Sequence, residues 1–222
     1  MCIRDSNIPG LSPDIMDSLK PHLQLAETMG LLISQLSGGQ IQKLEVRLQG
    51  EFVQHPSQPL IIASLKGLLS KALGDRINYV NASLEAESRG ISVSESKDEA
   101  RPEFASGSLQ LTTFGDNGEH SVAGSIFADG ELRIISIDQY PVNVSPSRFM
   151  LITRHRDMPG IIGKLGSLLG DHNVNIASMQ VGRKIVRGEA VMVLSIDDPI
   201  PTNLLESILE VEGITSSDPV TL

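Results

Sequence analysis

The sequence predicts an α+β protein: an α/β region with a mostly antiparallel sheet, followed by a β-α-β-β-α-β sandwich with both helices on one face. Three observations carry this. Lys43 to Leu48 alternates strictly between charged and apolar residues, the two-residue period of a half-buried strand. Leu25, Met29, Leu32, Ile33 and Leu36 recur at helical spacing, and Leu60 to Leu73 reads as a buried helix. After Phe149 the strand and helix patterns alternate in the order β-α-β-β-α-β.

Met1 to Ser6 is aperiodic and plays no part in the fold argument. Ser12 is placed to cap a short helix that Pro13 opens, Pro21 to open a second, and Gly38-Gly39 to end it. The apolar stripe of that helix meets no partner before residue 40. Residues 1–39 are therefore expected to be the helical remnant of a truncated preceding domain, the alternative being a helix docked on its C-terminal neighbour.

Residues 40–146 form the first full region. After the strand at Lys43 and the helix at Leu60, a short helix from Ala82 to Ser88 ends at Arg89-Gly90, ahead of a strand from Ile91 to Ser94. Ser92 to Pro102 is charged and aperiodic and reads as a solvated loop. Ser108 to Phe114, His120 to Phe127 and Glu131 to Asp138 form a meander, joined at Gly115-Asp116-Asn117-Gly118 and Asp129-Gly130, residues that tolerate left-handed turns. Pro141 to Pro146 reads as a linker, which sets the boundary.

Residues 147–222 give strand Phe149 to Arg154, helix Pro159 to Asp171, strands Asn175 to Gly182 and Glu189 to Ile196, helix Thr202 to Val211 and strand Ile214 to Leu222. The first helix is expected to bury Ile161, Ile162, Leu165, Leu168 and Leu169. Its Gly163, Gly166 and Gly170 read as small residues for close packing, and Gly182 and Gly188 as turn residues of the following hairpin. Asp157-Met158-Pro159-Gly160 joins strand to helix. Pro159 suits a first helical position, and Asp157 is then placed as an N-terminal cap. Two uses are open to its carboxylate: accepting a first-turn N–H, or receiving the ammonium of a ligand.

Composition excludes several classes. The net charge of −9 comes with no basic run, which argues against nucleic acid and anionic membranes as partners. No apolar run approaches the roughly 20 residues needed to span a bilayer, and the N-terminus lacks the apolar core of a signal peptide. A soluble, cytoplasmic protein is expected. The single Cys2 excludes an internal disulfide or a thiolate zinc site. With no Trp, two Tyr and five Phe, stacking platforms for bases are lacking. His55, His120, His155 and His172 are scattered, without metal-pair spacing, and no G-x-S-x-G elbow is present.

The last segment resembles an ACT domain, a small ligand-sensing module with a ferredoxin-like βαββαβ fold, through Asp157-Met158-Pro159-Gly160 and Asn173-Val174-Asn175-Ile176. From residue 7 onward the chain also resembles the C-terminal part of the long type of D-3-phosphoglycerate dehydrogenase. That wider likeness rests on Pro21 to Gly30, Leu65-Lys66-Gly67-Leu68-Leu69, Asn78 to Gly90 and Met179-Gln180-Val181-Gly182-Arg183. It implies an intervening, allosteric substrate-binding domain ahead of the ACT domain.

The resemblance implies a parent enzyme of L-serine biosynthesis that oxidises 3-phospho-D-glycerate to 3-phosphohydroxypyruvate with NAD. The NAD and catalytic residues of such enzymes lie upstream of the matched region, and this chain has no G-x-G-x-x-G, so it is expected to bind no cofactor and to be inactive alone. It further implies that L-serine, or another small amino acid, binds between ACT domains that self-associate. The matching contacts are His155, Asp157, Pro159, Gly160, Ile161, Asn175 and Ile176. An anion, such as a phosphorylated substrate, is implied near Arg133, where two other family basic positions are Ser145 and Ser195 here, and Arg148, Arg183 and Lys66 are the available substitutes. The Pro141 to Pro146 segment is expected to act as the hinge that passes on the effector's signal. Two alternatives stand beside this reading: the regulatory part of an iron–sulfur L-serine dehydratase, and a stand-alone amino-acid-binding ACT regulator.

Overall fold

The computed structural model describes residues 13–102 and 105–222. Met1 to Ser6 and the expected Ser12 cap lie outside them. The chain divides into two compact units, Met1–Ile134 and Ile135–Leu222, with the division inside strand β5 (Leu132–Ile137).

In the first unit, helix α1 (Pro13–Ser37) is one continuous helix with Pro21 inside it, not two. Leu19, Leu23, Leu25, Ala26 and Met29 are buried on either side of the proline, and this packing holds the helix through the lost hydrogen bond. α1 lies along α2 (Ser57–Leu73) and over β3 (Gly107–Gly115) and β4 (Gly118–Ile126). Its stripe is thus covered within the unit, as in the docked-helix alternative. The two helices approach to backbone contact at two glycines. A Cβ on Gly30 would strike the Ser64 carbonyl, and one on Gly67 the Glu27 carbonyl.

The helices cover a sheet in which β1 (Ile41–Gly50) runs antiparallel to β3 (Gly107–Gly115) and parallel to β2 (Ser92–Asp98), while β3 pairs with β4 (Gly118–Ile126). Asp116-Asn117 turns between paired Gly115 and Gly118, with Gly118 at φ 94°. α3 (Ala82–Ser88) ends at Arg89-Gly90 as expected, with Gly90 at φ 72°. The expected loop at Ser92 is instead β2. Its side chains are exposed up to Lys97, so no buried face imposed a period on the sequence, and its charges suit an edge that must not pair further.

β5 leads into the second unit, where Asp138-Gln139, at φ 47° and 63°, forms a two-residue turn into β6 (Tyr140–Val144). The expected linker is therefore mostly strand. Val142 and Val144 are buried, and Pro141 and Asn143 alternate with them on the exposed side. Ser145 and Pro146 follow the strand.

The remaining strands are β7 (Phe149–Arg156), β8 (Ile176–Arg183), β9 (Glu189–Ile196) and β10 (Ile214–Thr221), in the order β10-β7-β9-β8 with every pairing antiparallel. α4 (Ile161–Asp171) and α5 (Thr202–Leu209) pack on one face around Leu151, Ile161, Leu165, Leu169, Met192, Leu194, Leu204 and Ile208. Ile162 departs from expectation at 49% exposed, and Gly163, Gly166 and Gly170 face open space rather than a close neighbour. Gly182 is inside β8, not in the turn. A side chain there would strike the Pro141 carbonyl of β6.

Gly67 and Gly163 should respond in opposite directions to the same substitution. Gly67→Ala is expected to cost about 1–3 kcal/mol because backbone must move to admit the methyl group. Gly163→Ala adds a methyl in open space on a helix and should gain about 0.5–1 kcal/mol. Urea midpoints of the two variants, compared with wild type, check both signs.

Candidate functional site

The site begins at the end of β7. Leu151 belongs to the helix-facing core, so by strand alternation Thr153 and His155 point the same way. Both are buried, at 0% and 2% exposed. Ser217 lies across from Thr153 on β10. Thr153 Oγ1, Ser217 Oγ and His155 Nδ1 are all buried without a hydrogen-bond partner. Burial lowers the His155 pKa, against the opposing pull of the Thr153 backbone and the Asp157 carboxylate. The loop therefore rises from a polar, unsatisfied floor.

Two readings of that loop are corrected. Gly160 has φ 89° and ψ −13°, and the Ile161 N–H reaches the Met158 carbonyl at 3.4 Å. This is a type II turn with Pro159 and Gly160 as its central residues, so Pro159 precedes the helix rather than opening it. Gly160 is the N-cap, and no side chain caps α4. Asp157 is free of that role.

Its carboxylate is held by the β8–β9 hairpin instead. Asp157 Oδ2 accepts from Arg183 Nη1 at 2.8 Å and from the Arg187 backbone N–H at 3.1 Å, while the Asp157 N–H donates to the Gly188 carbonyl at 2.8 Å. Arg183, followed by the Arg187 N–H, lowers the Asp157 pKa. Register explains the contact. Ala190 of β9 pairs with His155 on one side and with Arg183 on the other, which sets the three in one row across the sheet.

Asn175 and Ile176 lie elsewhere. Ile196 of β9 is flanked by Phe149 and Ile176, six residues of β7 away from the His155 row, which is about 20 Å of strand. Asn175 Nδ2 donates to Asp197 Oδ2 at 2.7 Å, and its carbonyl accepts the Asp197 N–H at 3.3 Å. It pins the start of β8 to the end of β9. Ile161 is a core side chain, 3% exposed, and Ile176 packs half-buried against the same core. The chain thus gathers His155, Asp157, Pro159 and Gly160 and adds the Arg183 contact, but leaves Asn175 at the opposite end of the sheet.

Of the four cations considered for an anion, three already meet carboxylates. Lys66 pairs with Glu27 and lies over the Tyr79 ring, whose hydroxyl also donates to Glu27. Burial and Glu27 raise the Tyr79 pKa. Arg133 pairs with Glu131 at 2.5 Å and reaches Asp129 at 4.0 Å. Arg183 holds Asp157, and Arg148 stands over the Phe149 ring at 5.1 Å.

The β7–α4 junction carries Asp157-Met158-Pro159-Gly160 and the β9–α5 junction Asp197-Asp198-Pro199-Ile200-Pro201, neither of them a G-x-G-x-x-G loop. Among the described residues no three His, Cys, Asp or Glu side chains cluster as metal ligands, and no helix is long and apolar enough to cross a membrane.

Comparison with known proteins agrees with this layout. Residues 18–138 match the D-3-phosphoglycerate dehydrogenase intervening domain, and residues 149–213 match the ACT domain. Three relatives are all D-3-phosphoglycerate dehydrogenases. That of Synechocystis is 57% identical over 97% of this chain and 39% of its own length. That of Methanocaldococcus jannaschii is 36% identical over 94% and 39%, and that of Archaeoglobus fulgidus 37% identical over 97% and 41%. The chain spans about two fifths of the length of these relatives.

Two pH responses arise from the site. His155 has a lowered folded pKa, so the unfolded chain binds its proton more readily. Stability should therefore fall as pH drops below the ordinary imidazole value of about 6.5. His155→Gln should flatten that part of a stability profile measured by urea unfolding. Asp157 has a lowered folded pKa, so its contribution is present above the ordinary carboxylate range and is lost as pH falls toward the folded value. Arg183→Gln should raise the Asp157 pKa in a carbon-detected NMR titration.

Proposed function

Because this chain belongs to the D-3-phosphoglycerate dehydrogenase intervening-domain family, with an ACT domain behind it, we propose that it is the regulatory portion of such an enzyme. In this reading L-serine is the effector, and it binds between two ACT domains. The parent enzyme performs the NAD-dependent oxidation of 3-phospho-D-glycerate in L-serine biosynthesis, and serine binding reports the level of its end product. The match over residues 18–138 favours this over a dehydratase subunit or a stand-alone regulator.

The observation that carries the proposal is the outer edge of β8. It ends the sheet, and from Ile176 to Gly182 it bears no charge. The other outer strand of this sheet, β10, contains Asp218 and Pro219, and β2 contains Glu95, Lys97 and Asp98. Proteins guard free edges with charge and proline, so an uncharged edge is one meant to be covered. Beside it, exposed Ile162 and the open glycines of α4 offer a smooth surface, on the side away from the groove that Lys164 and Leu168 line with α5.

A two-fold pairing of β8 with the β8 of a second copy, antiparallel, sets Ile176 of one beside Arg183 of the other. That brings Asn175 of one protomer to the Asp157 end of its partner. The separation of about 20 Å within one chain then becomes proximity between chains. Each dimer has two such sites.

This architecture makes a complementation test decisive. Asp157→Ala and Asn175→Ala should each abolish serine binding in calorimetry. Mixed after unfolding and refolding together, the two variants should recover roughly a quarter of the wild-type sites, because half of the dimers are then mixed and each mixed dimer keeps one complete site. No recovery on mixing, or serine binding unaffected by either substitution, rules the shared site out.

A further inference from the structure

The Asp157–Arg183 pair is asymmetric in its use of atoms. Asp157 spends Oδ2 on both Arg183 Nη1 and the Arg187 N–H, and Oδ1 carries no hydrogen bond among the described residues. Arg183 uses one nitrogen, leaves its Nε and Nη2 uncommitted, and is half-exposed. An acceptor and a set of donors therefore stand side by side at the surface. The buried, unpartnered Nδ1 of His155 lies in the same row of the sheet.

An α-amino acid carries its ammonium and carboxylate on one carbon, with the opposite order of charge. We propose that Arg183 is the carboxylate-binding residue of this site. The ion pair then reads a zwitterion as a unit, with the ammonium on Asp157 Oδ1 and the carboxylate on the donors of Arg183 that Asp157 leaves open. Arg183 thus belongs to amino-acid recognition rather than to a separate phosphate site. The arrangement keeps the existing pair intact, so nothing must be broken on binding. It selects against amines, which leave Arg183 unserved, and against hydroxy acids, which leave Asp157 unserved. This rests on the amino-acid-sensing reading above and adds the residue that fixes the ligand class.

Calorimetry on the full 222-residue chain, with L-serine and L-serinamide as probes, separates the possibilities. Serinamide keeps the ammonium and lacks the carboxylate. Arg183→Gln should weaken L-serine at least about tenfold, as expected for a lost hydrogen bond to a charged group, and leave serinamide within about twofold. Arg183→Lys, which keeps the charge but not the fork, should fall between and also serves if the glutamine variant does not fold. If the substitution weakens both probes equally, Arg183 only positions Asp157, and the proposal is overturned. Unchanged serine affinity overturns it as well, while leaving serine sensing in place. If the wild-type chain binds no L-serine, the sensing reading fails first and takes this assignment with it.

Discussion

Pairing along β9 is the constraint on which the chemistry of the C-terminal unit depends. From Ala190 to Ile196 the strand is buried, with antiparallel partners on both sides. A strand so enclosed cannot slip by one residue without turning its whole apolar face outward. Its register therefore fixes two rows at once. One row places Arg183 across from His155 and within reach of Asp157, and the other places Ile176 level with Phe149. The polar chemistry of the loop is a consequence of hydrophobic burial on the neighbouring strand.

The N-terminal unit has a comparable fixed point in the crossing of α1 and α2. Gly30 and Gly67 let the two backbones touch, and the same closeness sets Glu27 beside Lys66, with Tyr79 closing over them. Three segments distant in sequence meet there. Lys66 looks in isolation like a free surface cation. In place, its charge is answered by Glu27, with apolar and aromatic surface around its stem.

Much of this was readable from residues alone. The six elements from Phe149 onward end within two residues of where their patterns place them, because each has one buried face and a period to show it. β2 and β6 were not readable. β2 buries neither face and so leaves no period, and the prolines around β6 resemble a linker although Val142 and Val144 alternate inward. Asp157 illustrates the limit at the site. Its sequence neighbours describe a helix cap, whereas its partners are 26 and 30 residues away. Only the pairing of β8 with β9, and the hairpin that Gly188 closes, brings them near. The opposite placement of Asn175 was hidden for the same reason.

The uncharged edge of β8 also bears on solubility. A strand that offers bare N–H and C=O groups to a second copy offers them equally to any extended chain. Ile176 to Gly182, with no lysine, aspartate or proline as gatekeeper, is then open to unwanted assembly whenever it stands alone. Charging it would protect the chain and forfeit the pairing. The surface proposed to complete an effector site and the surface open to aggregation would be the same seven residues, Ile176 to Gly182.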